Sequence, residues 1–317
     1  MKTDILGDGF EQKQVAMPAD HEGPVVTTII RRLRAGGAKC AVLYVHGFSD
    51  YFFNAEMGRK FNDAGYDFYA VDLRKYGRSL LQGQKIFGVA DLSEYFPDIE
   101  AGLEQIRADG HTEIVLMGHS TGGLTTSLFM KRRAPADVRA LILNSPFLSW
   151  NLPWLHRHVA IPAITLLSRW SPGLKIPQPK DPGYAYSLHK AYGGEWDYDR
   201  TLKPDVFPDI DAAWVAAIER GQRQLRGGAD IRVPILLLRS KSSVGKRHSR
   251  DQYRRADAIL NVETLAAVGR RLGKDVTEVA VKGGLHDLLL SSHSVREQAY
   301  SVIFDWLKGL GLYFRFL

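Results

Sequence analysis

The sequence predicts an α/β fold on a mainly parallel sheet, and three observations carry that expectation. Short β-branched and aromatic runs recur at residues 25–33, 41–45, 67–71, 114–117, 140–143, 234–238 and 278–281, each reading as a strand. The central runs are apolar throughout rather than alternating, as strands covered on both faces must be. Between them, residues 54–64, 92–108, 122–133, 262–272 and 294–308 carry apolar side chains at helical spacing, and right-handed crossovers would place these helices on both faces of the sheet.

Composition sets the outer bounds. A chain of 317 residues with 45% hydrophobic and 24% charged residues excludes disorder as its main state. Folding at this length buries roughly 75% of the extended chain's surface. Cys40 is the only cysteine, which excludes an intramolecular disulfide and any cysteine-based metal cluster. Residues 1–10 include Asp4 and Asp8 where a signal peptide would be uniformly apolar, and no run approaches the ~20 apolar residues that span a bilayer. A cytoplasmic location is therefore expected, with no cofactor and no metal.

The regular pattern breaks between residues 149 and 230, which hold eight of the fourteen prolines and five of the six tryptophans. That much proline forbids a long continuous helix, and only residues 209–225 look strongly helical. The expected organisation is a first core part over 1–148, an inserted cap over 149–230 that folds over the sheet, and a second core part over 231–317.

The chemistry concentrates at strand ends. In residues 114–123 an apolar strand runs into Gly118-His119-Ser120-Thr121-Gly122 and then a helix. A serine in so sharp a turn projects its Oγ beyond the sheet, provided that close neighbours such as Gly118 and Gly122 lack side chains. The following helix aims its positive end at developing negative charge. Acyl transfer needs two N–H groups on the oxyanion. Thr121 supplies one, and Phe48, in the loop after the 41–45 strand, is expected to supply the other. His46 and Gly47 begin that loop, and His46 is read as its structural support.

Such a serine goes with the chain order serine, acid, histidine. His286 directly follows the last strand, in Gly283-Gly284-Leu285-His286, and is the expected base; His293 reads as a surface residue. No carboxylate follows the 234–238 strand until Asp251 and Asp257. Asp257, one helix and one strand ahead of His286, is the expected acid. Asp251, inside a basic run where an ion pair would occupy it, is the alternative.

At these residues the chain resembles the α/β-hydrolase superfamily, and within it the monoacylglycerol lipase, lysophospholipase and serine aminopeptidase-like group. The matches are His46-Gly47-Phe48, Asp72-Leu73-Arg74-Lys75-Tyr76-Gly77-Arg78-Ser79, Met117 through Gly123, Leu143 through Pro146, and Gly283 through Asp287. The resemblance implies a mostly parallel eight-stranded sheet with a cap inserted after the sixth strand. It also implies a triad of Ser120 as nucleophile, His286 as base and Asp257 as acid. Lys75 departs from the group's usual glycine, and the loop from 239 to 256 is longer than usual.

The expected activity is hydrolysis of a carboxylic ester with an apolar acyl chain, such as a monoacylglycerol or lysophospholipid. Amide cleavage, acyl transfer, carbon–carbon bond hydrolysis and a catalytically silent ligand-binding role stay open at this level. The net charge of +7 raises nucleic acid as a partner, but seven Lys or Arg against Asp251 alone give residues 239–255 a balance of +6, leaving +1 for the rest. No nucleic-acid partner is expected. The charged loop instead suggests peripheral contact with an anionic membrane or headgroup.

Overall fold

The structure is a computed structural model that describes residues 1–20, 22–245 and 250–312. The strands are β1 (Lys2–Thr3), β2 (Phe10–Asp20), β3 (Gly23–Arg32), β4 (Cys40–Val45), β5 (Tyr66–Asp72), β6 (Glu113–His119), β7 (Val138–Asn144), β8 (Lys175–Ile176), β9 (Ile210–Asp211), β10 (Ile235–Ser240) and β11 (Val276–Val281). Nine of them form one sheet in the order β1-β2-β3-β5-β4-β6-β7-β10-β11. Pairing is parallel from β5 through β11 and antiparallel among β1, β2, β3 and β5. The eight expected strands gain the two-residue edge strand β1. The sixth of those eight is β7, after which the chain leaves the sheet until β10.

β4 explains the uniformly apolar runs. Ala41, Leu43 and Val45 enter one core cluster, and Cys40, Val42 and Tyr44 enter the other, so no position faces water. Helices α1 (Ala55–Asp63) and α8 (His293–Gly309) cover one face through Met57, Phe61, Ala299, Tyr300 and Ile303. Helices α2 (Phe96–Ala108), α3 (Thr121–Arg132) and α7 (Val262–Gly269) cover the other through Ile99, Leu103, Leu124, Leu128 and Leu265. α7 stops at Gly269, short of the expected 272. A Cβ at Gly269 would lie 2.4 Å from Leu237 Cδ2, so the helix end is pressed directly onto β10.

Between β7 and β10 lie α4 (Ile161–Leu167), α5 (Gly183–Leu188) and α6 (Ala212–Arg226), with the two-stranded β8–β9 ribbon. α6 occupies the strongly helical stretch read from sequence. Its Gly221 lies against Leu92, Leu128 and Leu124, which seats α6 on α3 and on the short turn that precedes α2.

Two buried ion pairs fix the loop behind β5. Asp72 accepts hydrogen bonds from the N–H groups of Phe52 and Arg78 and pairs with Arg78 Nη1 at 2.8 Å, while Arg78 Nε pairs with Asp4 at 2.7 Å. Lys75, the departure from glycine, keeps a left-handed backbone with φ of +64°. That conformation costs a side chain of about 1–2 kcal/mol. Its fully buried Nζ lies 2.6 Å from Asp20 Oδ2 and also pairs with Glu22, tying the turn to the β2–β3 hairpin.

Replacing Arg78 by Met would strand two buried carboxylates, and a broken buried pair costs about 3–5 kcal/mol. Urea unfolding of Arg78→Met is expected to show a loss of that order. A loss below about 1 kcal/mol, the range of exposed pairs, would contradict the buried role assigned to it.

Candidate active site

The turn from β6 into α3 holds Ser120 at φ +51°, ψ −117°, a conformation that side chains rarely adopt. It persists because its surroundings leave no alternative. A Cβ at Gly122 would lie 2.3 Å from the His46 carbonyl oxygen, and one at Gly118 would lie 2.5 Å from Thr126 Oγ1. The Ser120 N–H donates to Asn144 O, and its carbonyl accepts from Leu124 and Phe147. Backbone bonds from β7 and α3 therefore clamp the strained residue on both sides.

His286 sits in the loop after β11, followed by the short 3₁₀ turn Leu288–Leu290. Asp287 anchors this loop: its Oδ1 accepts from Asn144 Nδ2 at 2.7 Å and from Leu289 N–H. The Asp287 N–H donates in turn to the hydroxyl of Tyr184 on α5. With the loop so held, His286 Nε2 lies 2.9 Å from Ser120 Oγ, and Nδ1 lies 3.0 Å from Asp257 Oδ2.

The long loop after β10 brings Asp257 to this position. After leaving the sheet edge the chain returns in a bridge between Ser243 and Asp257, with Asp257 N–H donating to Ser242 O and Val244 N–H donating to Asp257 O. The other carboxylate oxygen, Oδ1, accepts from Ile259 and Leu260 N–H at 2.8 Å each. The buried carboxylate thus presents one oxygen to the imidazole while two amides fix the other. Asp251 lies exposed on the 3₁₀ turn Arg250–Arg254. The structure brings Ser120, His286 and Asp257 together and leaves Asp251 apart. His293 begins α8 at the surface.

His46 Nδ1 lies 2.8 Å from Gly47 O, and its Nε2 accepts from Leu73 N–H at 3.1 Å, so this buried ring spans its own loop and the end of β5. A Cβ at Gly47 would lie 3.0 Å from Ser120 Cβ, which lets the loop carrying Phe48 run beside the serine. Phe48 and Thr121 both line the cavity above Ser120. Burial holds the His119 imidazole below the usual histidine range, although Asp287 lies 3.8 Å away. Its Nδ1 lies 3.1 Å from Asn144 O.

The cavity over Ser120 has a volume of about 150 Å³. One end is aromatic, where Trp214 packs on Phe48 with ring centroids 4.5 Å apart and meets Trp150 edge-on. The other is polar, where Lys203 Nζ pairs with Asp50 Oδ1 at 2.8 Å. Sequence reasoning gives no role to Tyr184 and Lys203, which no motif surrounds, or to Asp50, which ends the segment that begins with His46; Trp214 is visible as one of the cap's tryptophans and as an apolar position on the expected helix. The first cation of the basic run, Arg239, lies in β10. Arg239 is buried and pairs with Glu278 at 2.7 Å and with Glu263. Lys246 and Arg247 lie outside the described residues.

Residues 36–291 match the family described as serine aminopeptidase, S33. The chain belongs to the S33 serine aminopeptidase family. No curated protein sequence matches it. Among solved structures, this S33 family member is similar to a soluble variant of monoglyceride lipase from Saccharomyces cerevisiae in complex with a substrate analog. The TM-score is 0.69 at 16% identity, over 94% of this chain and 96% of that one. It is also similar to a monoacylglycerol lipase from Paleococcus ferrophilus (TM-score 0.62, 20% identity, 94% and 99% covered). A thermostable carboxyl esterase from Bacillus coagulans matches with TM-score 0.66 at 14% identity, over 94% and 98%. These likenesses establish the α/β-hydrolase fold. No helix among the described residues is long and apolar enough to cross a membrane.

The His119 ring should titrate below the ~6.5 of a free histidine, and should therefore be neutral at pH 7. Proton NMR of its ring hydrogens, assigned with a His119→Gln variant, checks this. A midpoint at or above that value would contradict a desolvated ring.

Proposed function

We propose that the protein is a serine hydrolase that cleaves carboxylic esters with an apolar acyl chain through an acyl-enzyme. The observation that carries this reading is the Ser120–His286–Asp257 relay, at 2.9 and 3.0 Å, at the base of a cavity with an aromatic end. Ser120 Oγ attacks the ester carbonyl as its proton passes to His286 Nε2. Asp257 holds the opposite N–H and stabilises the imidazolium without taking the proton. The oxyanion is received by the N–H groups of Phe48 and Thr121, and removal of one such donor costs on the order of a hundredfold in rate. The imidazolium then protonates the departing alkoxide. Water, deprotonated by the same imidazole, releases the acid and restores the serine.

An ester fits this cavity better than an N-terminal amide does. A free α-ammonium would need an unengaged carboxylate, and two of the three aspartates lining the cavity are already paired with cations. Asp50 is taken by Lys203, Asp205 by Arg200 and Tyr192, and Asp181 by Tyr253. The segment over 149–230, which contributes Trp150, Tyr184, Lys203 and Trp214, acts in this reading as the cap that shapes the substrate chamber.

A fluorophosphonate probe should label the protein stoichiometrically, and labelling should vanish in Ser120→Ala; folded protein that stays unlabelled would sink the proposal. For the acid, Asp257→Asn is expected to lower kcat on p-nitrophenyl butyrate by about four orders of magnitude, the scale set by a wrongly held imidazole. Asp251→Asn should leave it within about threefold, as expected of an exposed side chain. The opposite ranking would overturn the assignment of Asp257.

A further inference from the structure

A second cavity, of about 410 Å³, lies on the far side of Trp214 and Ile210, and these two residues line both chambers. Its lining includes the apolar residues Phe87, Val89, Pro172 and Ala213 beside Trp214. At its mouth Lys85 and Lys175 share Asp211, at 3.5 and 2.7 Å, and the exposure of both lysines marks this as the side open to water. At Trp214 and Ile210 the wall between the chambers is a single side chain thick. Phe48, from the first chamber, meets Phe87, from the second, edge-on with ring centroids 4.8 Å apart, and Trp214 packs against Phe48.

Size makes this wall consequential. A cavity of about 150 Å³ takes a group of about benzene's size, roughly six carbons. The chamber over Ser120 is of that volume, and the larger chamber continues it with apolar lining before reaching water. We propose that Trp214, backed by Ile210, is a specificity-determining partition that limits the acyl chain to short lengths, and that the chamber behind it is a latent extension of the acyl site. This inference rests on the esterase reading for its substrate class, but the partition itself is a property of the cavity and can be tested without turnover.

The test is calorimetric binding of hexanoate and dodecanoate to the Ser120→Ala protein, alone and with added substitutions. Adding Trp214→Ala should raise the dodecanoate-to-hexanoate affinity ratio by about tenfold or more, the scale of a few methylenes gaining an apolar site. Ile210→Ala opens the same wall from the β9 side and should raise the ratio in the same direction, so the test survives if Trp214→Ala fails to fold. Ala213→Trp, which refills only the second chamber, should return the ratio of the Trp214→Ala protein to its starting value. An unchanged ratio in the opened variants would overturn the proposal. So would a raised ratio that Ala213→Trp does not reverse, because the gained space would then lie elsewhere. With Ser120 intact, the same variants assayed on p-nitrophenyl hexanoate and dodecanoate separate the two readings. A shifted binding ratio in a protein that hydrolyses neither ester would fault the esterase reading alone.

Discussion

The site depends on a backbone conformation that an isolated peptide would avoid. Ser120 holds φ at +51° between a strand and a helix, with room for its neighbours only because Gly118 and Gly122 lack side chains. Such strain persists when the surroundings over-determine it. Here they do so through the clamp from Asn144, Leu124 and Phe147, and through His46, whose carbonyl oxygen would lie only 2.3 Å from a Cβ on Gly122. The same geometry lifts the hydroxyl off the sheet edge and puts the free N–H end of α3 beside it. Position and polarity at this point are consequences of one turn.

Around that turn, each site residue is held from the end of a neighbouring strand. Asn144 at the end of β7 holds Asp287 and with it the His286 loop; Ser242 and Ser243 after β10 hold Asp257; Asp72 at the end of β5 holds Phe52 and Arg78 beside the loop carrying Phe48. Because β4, β5, β6, β7 and β10 are parallel, their carboxyl ends share one edge of the sheet, and short side-chain bonds suffice to bring five separate loops together. Buried carboxylates do much of this holding, each with its charge met by a cation or by several N–H groups. An uncompensated buried charge would be far too costly to keep.

Much of this was legible in the chain. The both-face burial of β4 and its neighbours explains why uniformly apolar runs identified the central strands, and the glycines flanking Ser120 and preceding His286 marked the turns where local geometry overrides propensity. β2 escaped notice because it lies near the sheet edge, where Lys13, Gln14 and Pro18 are tolerated and only Phe10 and Gln12 are buried. The proximity of Asp257 to Ser243 is concealed by their separation in sequence, since a bridge between them is a tertiary pairing with no local pattern. Tyr184, Lys203 and Trp214 act through contacts made across more than a hundred residues or through the shape of a cavity, and neither leaves a periodic signal. Within the run of positive charge, the pairing of Arg239 leaves no local pattern, because Glu263 and Glu278 lie in later elements.

In the proposed reaction Ser120 becomes covalently acylated in the course of turnover. Rapid acid quench of the enzyme with p-nitrophenyl butyrate, followed by peptide mapping, tests it directly. A burst of nitrophenol matched by one butyryl group on the peptide carrying Ser120 is expected, with neither in Ser120→Ala. Steady hydrolysis without a burst or acylated peptide, undiminished in Ser120→Ala, would contradict it.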